Sequence, residues 1–124
     1  MSKSHTVIET FREICKKILY SSLGESSGEA VLFFLRKGLS KDPFEVLWNN
    51  PKAFYREMEK VFGIGANVII NLLVTKINNE FGLSMSFEHF LELIRSNDQQ
   101  SIKEIRSFIT EIVKLHRRKK VGAK

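Results

Sequence analysis

Between Gly63 and Gly82 the chain reads Gly63-Ile64-Gly65-Ala66-Asn67, then Val68-Ile69-Ile70-Asn71-Leu72-Leu73-Val74, and closes on Ile77-Asn78-Asn79-Glu80-Phe81-Gly82. No other stretch restricts the fold as strongly. Nearly every position from Ala66 to Ile77 is apolar, so a helix here has little surface to offer water. Such a helix belongs in an interior, wrapped by others. Val and Ile also favour strands, but the run amounts to about five helical turns between two glycine stops. The rest of the chain shows amphipathic helical spacing and no strand alternation. The expectation is an all-α bundle of five to seven helices around a central apolar helix at about 66–80.

Local signals place the other helices. Thr6 is a candidate cap for a first helix over 7–21, with Ile8, Phe11, Cys15, Ile18 and Leu19 on one face. Gly24-Glu25-Ser26-Ser27-Gly28 has the composition of a loop, so a second helix is expected over 29–37, stopped by Gly38. Asp42-Pro43 and Asn50-Pro51 repeat one device, a capping side chain with proline at the first helical position. They open a short helix over 44–48 and a longer one to Phe62, with Phe54, Met58, Val61 and Phe62 inward. Ser84 or Ser86 caps a helix bearing Phe87, Phe90, Leu91 and Ile94. After the polar break at 96–100, Ser101-Ile102-Lys103-Glu104 reads as a capping box, and Ile102, Ile105, Ile109 and Ile112 follow at helical spacing.

The net charge of +6 is unevenly distributed. From Lys114 onward there are six basic residues (Lys114, Arg117, Arg118, Lys119, Lys120 and Lys124) and no acidic one. The fourteen cations before Lys114 are balanced by fourteen carboxylates. The organisation expected is one helical domain over 1–116 and a basic, disordered tail over 117–124. A single cysteine, Cys15, cannot staple a secreted scaffold and fits a reducing, cytoplasmic compartment; its place in the apolar stripe reads as core. The first five residues lack the apolar core of a signal peptide, no run is long enough to span a bilayer, and no membrane partner is expected.

Chemistry is sparsely encoded. His5, His89 and His116 lie on different segments without metal-ligand spacing, no phosphate-cradling glycine loop is present, and the carboxylates fall on solvent faces. No enzyme activity, cofactor or metal is expected. Gly63-Ile64-Gly65 resembles the turn of the helix-hairpin-helix motif, which holds DNA phosphates on backbone N–H groups. Here Ala66-Asn67-Val68 supplies no cation and no proline precedes Gly63, and the same glycines serve equally as a C-cap and a close helix crossing. Asn67, Asn71, Thr75 and Asn78 form one polar stripe on the apolar helix: a seam in a subunit interface, a pocket lining, or the side that the bundle leaves open.

The succession Gly38-Leu39, Asp42-Pro43, Phe62-Gly63-Ile64-Gly65-Ala66 and Phe81-Gly82-Leu83 resembles small archaeal helical domains, among them the Nitrosopumilus-type output domains of signalling chains. The resemblance covers about residues 6–83. It implies an all-α module of unsettled biochemical role, with no catalytic residues to transfer. The function expected is a non-enzymatic interaction or regulatory module, its partner a second copy (a homodimer) or another protein. The alternative is weak, sequence-independent nucleic-acid binding through Lys114, Arg117, Arg118, Lys119 and Lys120, beside Lys103 and Arg106 on the preceding turns, or through a hairpin at Gly63–Gly65. A basic terminus that merely keeps the domain soluble is the competing reading of that tail.

Overall fold

Gly24, at φ 91°, is the only residue between the first two helices. The computed structural model of the chain describes residues 3–122. Among the described residues there are seven helices and no strand: α1 (Lys3–Leu23), α2 (Glu25–Leu39), α3 (Pro43–Asn49), α4 (Pro51–Phe62), α5 (Gly65–Phe81), α6 (Phe87–Ser96) and α7 (Gln99–Gly122). The all-α expectation holds. The first helix runs longer at both ends than 7–21, and Thr6 lies inside it.

The expected loop at 24–28 is helical instead. Glu25 sits in the first turn of α2, where a carboxylate favours the helix dipole, and the Gly28 N–H bonds to the Gly24 carbonyl. Gly28 is there for contact. It is buried, and a Cβ on it would lie 3.2 Å from the Leu19 backbone and 2.7 Å from the Tyr20 ring. Gly38 likewise lies inside α2; the helix ends one residue after it, at Leu39, with Ser40 in the left-handed conformation and its N–H on the Arg36 carbonyl.

The proline-started helices form as expected. Asp42 accepts from the Glu45 N–H and Asn50 from the Ala53 N–H. Asp42 also receives both arms of Arg12 at 3.2 and 3.1 Å, tying α1 to the start of α3. Ser86, not Ser84, caps α6. The cap of α7 is Asp98, which accepts from the Ser101 N–H at 2.7 Å. Ser101 is therefore already inside the helix, and its side chain is buried.

Packing covers α5 along one face. This helix touches α1, α4, α6 and α7, and its buried residues (Ala66, Ile70, Val74, Ile77 and Phe81) make a single stripe at helical spacing. The deepest burial is on α6 and α7, where Ile94, Ile105, Ile112 and Val113 have no solvent exposure. Leu73 is only partly buried and lines an apolar cavity of about 30 Å³ with Phe11, Cys15, Phe44, Phe54 and Phe90. Burial pushes the Cys15 thiol far above its usual range, as expected of a core cysteine.

Finally, α7 does not fray after Leu115. Its last turns rest on the end of α5: the edge of His116 meets the Phe81 ring, and Lys119 lies 5.3 Å over that ring while approaching Glu80 Oε2 at 3.6 Å. Cations in a C-terminal turn also suit the helix dipole. The tail expected to be disordered is therefore helical through Gly122; Ala123 and Lys124 lie outside the described residues.

Candidate functional site

Two surfaces gather the residues singled out in the sequence. The first is the outward face of α5. At 100° per residue, Ile64, Val68, Asn71 and Thr75 fall on one stripe, with Asn67 and Leu72 at its margins. The α4–α5 turn drives Ile64 into solvent: Gly63, at φ 58° and ψ −130°, ends α4 with its N–H on the Glu59 carbonyl, and its own carbonyl accepts from the Ala66 N–H. Ile64 is 94 % exposed and Val68 69 % exposed. Both are large apolar side chains, one turn apart. No charged residue occurs from Gly63 through Thr75. The helix expected to be buried all round thus keeps one uncharged, partly apolar side open.

The polar stripe divides. Asn67 accepts from the Tyr55 hydroxyl at 3.0 Å, fastening α5 to α4. Asn78 pairs with the Met85 backbone in both directions, its Nδ2 donating at 2.7 Å and its Oδ1 accepting at 3.1 Å. That clamps the α5–α6 connection. Asn71 and Thr75 remain exposed, bonded to each other at 3.2 Å, with the Thr75 hydroxyl as donor. Two of the four residues have structural work, and two lie on the open stripe.

The second surface is the end of α7. Lys114, Arg117, Arg118, Lys119 and Lys120 are all exposed. Four of them, all but Lys119, make no ion pair among the described residues. Arg106 is not part of this surface. Its Nε donates to the Trp48 carbonyl at 3.1 Å and its guanidinium lies over the Trp48 ring. Lys103 sits about 16 Å further up α7 from Lys114.

What sequence reading missed is a partner for the tail. Lys16 and Lys17 of α1 border a surface cleft of about 470 Å³ whose other wall is His116 and Lys120. Burial first, then Lys120, Lys17 and Lys119 against the opposing charge of Glu80, lower the His116 pKa from its ordinary 6.5. The Lys16-Lys17 doublet is visible in the sequence between the core positions Cys15 and Ile18, but its meeting with α7 is a tertiary fact. Nearer the start of α7, His89 joins α6 to α7 through Glu104, 2.5 Å from its Nε2, with Glu92 3.8 Å from its Nδ1. That raises its pKa, the Glu104 bond being the main cause.

Among the described residues no three His, Cys, Asp or Glu side chains are grouped to share a metal ion, and no helix is long and apolar enough to cross a membrane. No protein-family model, no curated protein and no solved structure matches the chain.

Proposed function

We propose that the chain is a non-enzymatic interaction module that associates with a second copy of itself through the open stripe of α5. One observation carries the reading: Ile64, Val68, Asn71 and Thr75 recur at steps of four, three and four on an exposed helix face without a charge. That is the spacing of a two-helix seam, in which apolar knobs enter the holes of the facing helix and a single asparagine fixes the register. A charged partner gains nothing from this face. A second copy does, because the Asn71 amide both donates and accepts and meets its own complement across a two-fold axis. Exposed apolar side chains scattered singly are ordinary; a contiguous stripe marks a contact surface.

The seam spans only about three helical turns, short for a standard-sized interface, so the association is weak and reversible. Sedimentation velocity over a concentration series up to about 1 mM, where the corresponding free energy is about 4 kcal/mol, tests it. The wild-type protein should shift towards dimer with concentration. Val68→Lys should remain monomeric with an unchanged far-UV spectrum. A wild-type chain that stays monomeric throughout, or a Val68→Lys variant that dimerises equally, defeats the proposal.

A further inference from the structure

The cleft between α1 and the end of α7 lies on a different surface and has a different chemistry. Lys16 and Lys17 stand on the α1 wall and His116 and Lys120 on the α7 wall; Arg117 follows on the exposed flank of α7. Four carboxylates are near: Glu29 is bonded to the Tyr20 hydroxyl at the α1 wall with Glu25 close by, Glu13 borders the cleft, and Glu80 is engaged by Lys119. Cations from two helices held across a groove suit a regularly spaced chain of phosphates, which releases its counterions on binding.

We infer that this cleft is a nucleic-acid site that grips the phosphate backbone of a duplex, with Lys17 and Lys120 as the facing contacts. Duplex is favoured over single strand because no aromatic ring at the cleft is free to stack. Lys16 lies over the Tyr20 ring, whose hydroxyl is bonded to Glu29, and the Phe81 ring is covered by Lys119 and His116. Duplex is favoured over a membrane because Val121 is the only exposed large apolar residue in the last turns of α7, where a helix lying on lipid needs an apolar face. No side chain here is placed to read bases, so binding is independent of sequence.

The site also contains its own reporter. His116 faces Lys120, Lys17 and Lys119, with Glu80 opposing, and a bound phosphate offsets those cations and raises its pKa.

The test uses the full chain, a mixed-sequence DNA duplex of about 16 base pairs, and binding measured between about 20 and 200 mM salt. Lys17→Gln with Lys120→Gln is compared with Lys114→Gln with Arg118→Gln, the latter pair lying on the side of α7 turned away from the cleft. For the cleft pair, the dependence of log K on log salt should become shallower by about 0.9 for each phosphate that is no longer neutralised. The control pair should leave it nearly unchanged. The His116 ring signals of the wild type should titrate at higher pH when duplex is present. Equal weakening in both pairs, or weakening in the control pair alone, would assign binding to a diffuse tail and overturn the cleft. Duplex binding without a His116 shift would do the same. No binding at the lowest salt, or capture by anionic phosphatidylserine vesicles without capture by duplex, removes the nucleic-acid site altogether.

Discussion

His116 and His89 face opposite electrostatic surroundings, and their contributions to stability run in opposite directions with pH. Burial and the surrounding lysines depress the His116 pKa, so the unfolded chain binds the proton more readily. Stability from this residue is therefore lost as pH falls below the ordinary 6.5 and through the folded value. His89, raised mainly by its bond to Glu104, contributes stability that is fully present below 6.5 and lost as pH rises through its folded value. An NMR titration should separate them, with His89 above 6.5 and His116 below. Reversal of that order would contradict the packing of α7 on α5 and α6. His89→Gln should lower stability more at pH 5.5 than at pH 8.5 in denaturant titrations; the same loss at both would mean that the charge is irrelevant. Residue types alone reveal neither shift, because Glu104 is fifteen positions from His89 and Lys17 is ninety-nine from His116. Cys15, by contrast, is legible from its place in the apolar stripe of α1 and is inert in the structure.

At the scale of single helices, the caps written by side chain plus proline are readable and the turns made by backbone are not. Asp42-Pro43 and Asn50-Pro51 form as expected because a short acceptor before a proline has few other uses. The Gly24–Gly28 segment misleads because glycine marks both loops and close contacts; only the Leu19 backbone beside Gly28 distinguishes them. Ser101 resembles a cap because Glu104 completes the capping box, but Asp98 reaches the same N–H from three residues earlier. Asp42 has a second role as the receiver of Arg12. Asp42→Ala should therefore cost about 1–3 kcal/mol, and Asp42→Asn, which keeps the capping oxygen, distinctly less. Equal losses in chemical denaturation would show that the ion pair dominates and the cap contributes little. The α4–α5 turn separates its two glycines more sharply. Gly65 has only an ordinary 3.7 Å neighbour in Phe62, so Gly65→Ala should stabilise by about 0.4–1 kcal/mol through the unfolded state. Gly63→Ala should destabilise because φ there is 58°. A destabilising Gly65→Ala would contradict this geometry of the turn.

For the whole molecule, periodicity identifies the all-α bundle and most of its core but overstates how much of α5 is covered. An apolar run implies burial only if enough neighbours surround it, and α5 has partners on one side while Ile64 and Val68 stay in water. Core energetics should follow the observed burial. Ile112→Ala, at a position with no solvent exposure, should cost about 2–5 kcal/mol, and Leu73→Ala less, since it already borders a cavity. The reverse order would contradict the burial seen at the two positions. The same asymmetry is what leaves a seam available for a second copy. Its most direct test is an isotope-filtered NOE experiment on an equal mixture of labelled and unlabelled chains at high concentration. Association through the seam predicts intermolecular contacts from the Ile64 and Val68 methyls to α5 of the other copy. Intermolecular contacts confined to other helices, or none at any concentration, would contradict it.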